Sequence, residues 1–268
     1  MRRAIVALGS AIVLALAAIS PSLGVTHGTP DGNNHPYVGL IVFDTADGPA
    51  WRCSGSLLSP TLVLTAGHCT DGAVAARVWF DSVVEGNTEY PFSGATSYDG
   101  VPHTFPEYTQ PGHGLVGFSF GDIGVVTLTE PVPTSVVPSY AELPSPNLVE
   151  ALPTGTPLDY VGYGVQFKER VSGPPFDRWA GPKVRMYAPG TLLSNNSRTS
   201  GDQIKVTMNP GAGKGGTCFG DSGGPDLLRG TDTVLAVNSY VTNANCAGVG
   251  YDTRVDRPER LAWITSFL

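Results

Sequence analysis

Between Val25 and Leu268 the apolar runs are short, rich in β-branched residues, and closed off by glycine or proline, of which the chain carries 34 and 23. A helix needs roughly ten or more residues of uninterrupted 3.6-residue periodicity, so this punctuation leaves strands joined by turns. The chain reads as all-β. Strands are expected at Tyr37–Phe43, Gly55–Leu58, Leu62–Thr65, Ala76–Phe80, Val125–Leu128, Leu158–Tyr163, Gln203–Met208, Val234–Val241 and Val249–Thr253. One helix closes the chain: Asp256 and Glu259 make a D-x-x-E cap, and Leu261, Ile264 and Leu268 recur at helical spacing. Residues 131–157, rich in proline and serine, read as the linker between two halves, 25–140 and 141–268.

Residues 1–24 are a separate object. Arg2 and Arg3 precede an uncharged, alanine-rich apolar run from Ala4 to Ile19, the form of a secretory signal. Ser22 and Gly24 fit a small-x-small cleavage pattern, so a secreted, extracellular chain starting at Val25 is expected, free of the membrane after cleavage. An uncleaved anchor is the rival reading. The formal charge of −7 argues against nucleic acid and anionic membrane surfaces as partners. Four cysteines in a secreted chain suggest two disulfides, with three possible connectivities. A zinc site competes, but neither C-x-x-C nor H-E-x-x-H spacing is present, and no metal or other cofactor is expected. Asn195-Asn196-Ser197 is a formal glycosylation sequon.

The chemistry centres on Gly220-Asp221-Ser222-Gly223-Gly224-Pro225. Glycines on either side of a serine leave room for a carbonyl to reach its hydroxyl, and let backbone N–H groups face the oxyanion that forms. Taken alone, such a segment is better explained by a surface turn. A nucleophilic serine also needs a base and an orienting carboxylate. All five histidines, His27, His35, His68, His103 and His113, precede Ser222. That excludes the Ser–acid–His order of the α/β-hydrolases. His68 closes the apolar run Leu62-Val63-Leu64-Thr65-Ala66-Gly67-His68-Cys69, where a rigid strand would hold it. His103 and His113 read as loop residues. Asp122 heads another apolar run, Ile123 to Leu128, and burial there would require a cationic or hydrogen-bonding neighbour.

Thr65-Ala66-Gly67-His68-Cys69, Asp122-Ile123-Gly124-Val125-Val126 and Gly220-Asp221-Ser222-Gly223-Gly224-Pro225 resemble, in order, the three signatures of the chymotrypsin/trypsin family of serine proteases. Gly162-Tyr163-Gly164 and Ser239-Tyr240-Val241 resemble that family's Gly-Trp-Gly and Ser-Trp-Gly. The resemblance implies two six-stranded antiparallel β-barrels with a short C-terminal helix. It implies Ser222 as nucleophile, His68 as general base and then acid, and Asp122 orienting His68. It further implies an oxyanion hole from the N–H groups of Gly220 and Ser222, and a primary pocket formed by Gly216, Thr217, Ser239, Tyr240 and Val241. Gly216 stands where a trypsin has aspartate, and Val241 where the family has glycine, so the pocket is expected to be narrow and uncharged. Cys53–Cys69 and Cys218–Cys246 are the family's pairs, each stapling one half beside its catalytic residues for roughly 3–4 kcal/mol. Val25-Thr26-His27-Gly28 is the counterpart of the family's Ile-Val-Gly-Gly, which implies an ion pair between a freed Val25 ammonium and Asp221. No basic activation site separates Val25 from the leader.

These readings converge on a monomeric, secreted serine endopeptidase acting on proteins or peptides without a cofactor. Two rivals share the fold: a binding or adhesion protein without catalysis, and an esterase using the same triad.

Overall fold

The computed structural model describes residues 25–109, 119–170, 177–195, 201–209, 215–241 and 243–268, and its strands form two closed barrels. A two-residue strand, β1 (Thr29–Pro30), comes first. The first barrel follows: β2 (Val38–Thr45), β3 (Gly48–Ser59), β4 (Leu62–Thr65), β5 (Ala75–Trp79), β6 (Ser97–Thr104) and β7 (Gly124–Leu128), all antiparallel, in the order β2-β3-β4-β7-β6-β5. Its strands β2 and β4 are buried along nearly their whole length and lack the usual two-residue alternation. The reason is packing on both faces: Leu40, Val63 and Trp79 belong to one apolar cluster with Val161, Val237 and Ile264 from the second half.

The second barrel comprises β8 (Pro157–Gly162), β11 (Met186–Ser194), β12 (Gln203–Met208), β13 (Pro225–Leu228), β14 (Val234–Val241) and β15 (Gly248–Arg254). It closes because β8 pairs with both β11 and β13, while β1 adds to the outside of β11. A hairpin of β9 (Phe167–Arg170) and β10 (Asp177–Ala180) stands apart. Two short helices complete the chain, α1 (Gly67–Thr70) and α2 (Pro258–Thr265). The stretch expected as linker contains one 3₁₀ turn, Leu148–Ala151, and no strand until β8 begins at its last residue, Pro157.

Every expected strand is present, shifted by a few residues at most, except that Gly55–Leu58 is part of the much longer β3. Outside the barrels sequence reasoning missed β1, β9 and β10, and within them it missed β6, β11 and β13. Each of the last three contains proline together with glycine or aspartate (Ser97-Tyr98-Asp99-Gly100-Val101-Pro102, Met186-Tyr187-Ala188-Pro189-Gly190 and Pro225-Asp226), a turn-like composition that closure of the barrel overrides. The helix signal also needs correction. Asp256 is not the cap of α2, whose N-cap is Arg257 without a side-chain bond. The Asp256 carboxylate instead accepts from Arg254 and from Val149 N. Leu268 lies beyond α2 and is exposed.

Both disulfides are present, Cys53–Cys69 and Cys218–Cys246. In the sequon, Asn195 Nδ2 donates to the carbonyls of Val149, Glu150 and Leu152. Asn196 and Ser197, His113 and the leader lie outside the described residues. Among the described residues no helix is long and apolar enough to cross a membrane.

Candidate active site

The pairing of β4 with β7 is what brings histidine and aspartate together. Thr65 at the end of β4 lies opposite Gly124 at the start of β7, so the residues just after one strand meet those just before the other. His68 follows on α1 and Asp122 precedes β7. His68 Nδ1 lies 2.8 Å from Asp122 Oδ2, and the His68 N–H donates to Asp122 Oδ1 at 2.7 Å. An ionised carboxylate accepts only, so Nδ1 carries the hydrogen and Nε2 keeps the lone pair a base requires. Asp122 is fully buried, and Ser239 Oγ donates to its Oδ2 as well. Burial alone would depress the His68 imidazole, but the charge and hydrogen bond of Asp122 more than reverse this and hold it above its ordinary value. Burial pushes Asp122 upward, and His68 and Ser239 outweigh that to keep it below the usual carboxylate value.

The serine loop is pinned to the first barrel through Ser54 on β3. The Ser54 N–H donates to the Ser222 carbonyl at 2.8 Å, and Ser54 Oγ donates to the Gly220 carbonyl at 2.9 Å. Thr65 Oγ1, three residues before His68, donates to the Ser54 carbonyl at 2.9 Å. Ser222 and His68 therefore hang from one pair of neighbouring strands. Gly223 is obligatory here: its φ is +77°, and a Cβ would fall 2.1 Å from Thr65 Oγ1. Ser54 itself was invisible in sequence, where it is one polar residue in a strand.

Among the described residues the N–H groups of Gly220 and Ser222 donate no backbone hydrogen bond, whereas those of Asp221, Gly223 and Gly224 all do. Ser222 Oγ and His68 Nε2 are not hydrogen-bonded to each other, and Nε2 has Cys69 Sγ at 3.7 Å. Such looseness is common in a site without substrate. Cys53, Cys69 and His68 cluster in the manner of metal ligands, but the disulfide leaves no thiolate there.

Beside Ser222 opens a cavity of about 180 Å³ with Thr217, Asn238, Ser239, Tyr240 and Val241 in its lining. Among the described residues that line it, none is charged. Gly216 is the exception among the expected pocket residues, for it does not line the cavity. Its N–H and carbonyl are taken by Thr26, and the Met208 side chain packs against it, with Cβ 2.8 Å from where a Gly216 Cβ would stand. The phenol ring of Tyr240 stacks on Tyr251, centroids 5.2 Å apart.

Asp221 is fully buried, and its carboxylate accepts N–H groups from Gly164 at 2.7 Å and Cys218 at 2.9 Å. No ion pair reaches it among the described residues, and burial pushes it up to about 7. Val25 is buried with Leu158 and Tyr160 in the core of the second barrel.

The sequence matches the family model described as Trypsin over residues 25–264. It is 30% identical to the trypsin of Sarcophaga bullata, over 79% of this chain and 77% of that one. It is 28% identical to brachyurin of Leptuca pugilator, over 88% and 91%. Among solved structures, HL collagenase superposes with a TM-score of 0.70 at 19% identity, covering 90% of this chain and 97% of the other.

Proposed function

This chain belongs to the trypsin family of serine proteases, and we propose that it hydrolyses peptide bonds by acyl transfer to Ser222. In this reading Ser222 Oγ attacks the scissile carbonyl and His68 Nε2 takes its proton. The carbonyl oxygen becomes an oxyanion held by the N–H groups of Gly220 and Ser222. Collapse of the tetrahedral adduct expels the amine, which receives the proton from His68. Water, activated by His68 in the same way, then frees the acyl group. The free Gly220 and Ser222 N–H groups support this reading, since removing one such donor typically costs about 2.7–4 kcal/mol of transition-state stabilisation. The observation that carries it is the bidentate grip of Asp122 on His68.

The uncharged cavity supports a preference for Ala, Val or Leu before the cleaved bond over Arg or Lys, because a buried cation without a partner is heavily penalised. Residues 1–24 are assigned to export, and the mature chain acts as an extracellular monomer. Incubation of the purified mature chain with a peptide library and with matched ester and amide substrates tests the activity. Cleavage of esters alone would favour the esterase, and binding without turnover the adhesion protein.

We further assign the Val25 ammonium, once freed, to Asp221. With no ion-pair partner among the described residues, and only the charge of Arg52 opposing burial, the fold favours neutral Asp221. The precursor should then lose stability as pH rises from the unfolded value of 3.8 to about 7. An ammonium reverses that sign. Adding one residue before Val25 should therefore restore the pH-dependent loss and lower activity, and full activity of that variant would exclude the pair.

A further inference from the structure

Inside the second barrel two more aspartates meet. Asp226 on β13 stands opposite Tyr160 of β8 and Ala236 of β14, and Asp252 on β15 stands opposite Asn238 of β14 and Ile204 of β12. Opposed residues share a face, as do residues two apart on one strand, so Asp226, Ala236, Asn238 and Asp252 all point the same way. The small Ala236 side chain stands on that face between them, and each carboxyl group acts on the other's titration. Both residues are buried, at 0% and 1% exposure. Among the described residues no N–H or hydroxyl donates to either Asp226 oxygen or to Asp252 Oδ2. Two ionised carboxylates have no hydrogen to share, so the contact is bonding only when one of them is protonated.

The neighbours do not neutralise the pair. β8 presents Tyr160, β12 presents Ile204 and β14 presents Asn238, while the charge of Asp252 also reaches Tyr240, which stands opposite Tyr251. Arg254, opposite Ala236, is bonded to Asp256 at 2.8 and 2.9 Å. Asp122 adds a further negative charge felt by Asp252. One thread leads out: Asp252 Oδ1 accepts the Ser239 N–H at 3.1 Å, and Ser239 Oγ donates to Asp122 Oδ2 at 2.5 Å.

We propose that Asp226 and Asp252 hold one proton between them, and that the singly charged pair fixes Ser239 and through it Asp122, making Asp252 a positioning residue for the triad. The positioning half rests on the reading of Asp122 as the orienting carboxylate. Desolvation first, and then the charge of Asp252, hold Asp226 well above the carboxylate range, so the proton belongs mainly to Asp226. Loss of that proton on the alkaline side sets two like charges in contact. They must part, and Ser239 moves with Asp252. Because Asp226 is raised in the fold, its contribution to stability is present below the unfolded value of 3.8 and is lost as pH rises through the folded value.

The test is Asp226→Asn, whose amide donates permanently to Asp252 and has nothing to titrate. kcat/KM and Tm are each followed against pH in the mature wild type and the variant. The alkaline fall in kcat/KM should move up by at least ~1 pH unit in the variant, with the acid limb unchanged, and its Tm should decline less as pH rises. Superimposable alkaline limbs overturn the positioning role, and parallel Tm curves overturn the shared proton. Asp252→Asn, which can still accept from Ser239 and donate to Asp226, gives the same readouts if Asp226→Asn does not fold. A wild type inert towards a fluorophosphonate would overturn the triad reading and the positioning role with it, and the Tm curves would still decide the shared proton.

Discussion

The two barrels differ in how fully they compensate buried charge. In the first, the buried carboxylates have partners: Asp44 is bonded to Arg77, and Asp122 to His68. In the second, Asp159 and Asp256 are paired with Arg229 and Arg254, but Asp221, Asp226 and Asp252 lie at 1% exposure or less and take part in no ion pair among the described residues. Burying a carboxylate without a cation costs stability, and a core is not built that way for strength. The first barrel is a scaffold that aims two side chains from the ends of β4 and β7. The second carries the serine loop and the cavity, and its uncompensated carboxylates cluster behind them. Departures from good core design tend to gather at working sites, and here they gather in one barrel.

The comparison can be tested from its largest consequence downward. Asp122→Asn should keep the fold while reducing kcat by about 10⁴-fold, the cost of the same change in the reference enzyme of this family, since the amide favours the wrong imidazole tautomer. Steady-state kinetics with circular dichroism would check both halves of that statement. Arg185 is a fully buried hinge between the halves. It donates to Asp31 Oδ2, to the Val38 and Phe80 carbonyls and to the Tyr163 hydroxyl. Arg185→Ala leaves Asp31 with His35 alone and the Val38 and Phe80 carbonyls without this donor, and should cost about 3–5 kcal/mol in denaturant unfolding. Leu64→Ala, at a fully buried position of the apolar first barrel, should cost about 2–5 kcal/mol with no pH dependence of its own. If Leu64→Ala changed the pH dependence of unfolding as strongly as Asp226→Asn, the contrast between barrels would fail. Val241→Gly should widen the cavity and shift preference towards larger side chains by only about 1–3 kcal/mol in kcat/KM ratios.

The pH dependence of the triad has its own sign. In the proposed mechanism His68 must be neutral to take a proton, and Asp122 holds its folded value above 6.5. Activity should therefore rise with pH through that raised value. The ion pair adds stability that is present at lower pH and is lost as pH rises through it. Asp122→Asn should move the acid limb downward, which a kcat/KM profile on a fast ester would show.

How far the residues alone reveal all this also differs between the barrels. Leu62-Val63-Leu64-Thr65 and Val125-Val126-Thr127-Leu128 are legible as strands because their apolar character suits burial wherever they pack. With both strands placed, His68 and Asp122 stand out as polar residues at their ends. In β11 and β13 the local composition favours turns, and only pairing with β8 on both sides makes them strands. Ser54 and Asp252 escaped notice for a related reason. Their roles depend on what lies across a strand boundary, Ser222 for one and Asp226 for the other, and no local pattern encodes that. Gly216 was misplaced because counting along the chain fixes a residue's neighbours but not which face Met208 covers.

The central claim is that Ser222 is a nucleophile activated by His68. Mass spectrometry of the mature chain after treatment with a fluorophosphonate tests it directly. The account predicts one phosphonyl group, on the peptide containing Ser222, and none at that position in Ser222→Ala or at comparable rates in His68→Ala. An unmodified wild type, or equal labelling of wild type and His68→Ala, would contradict it.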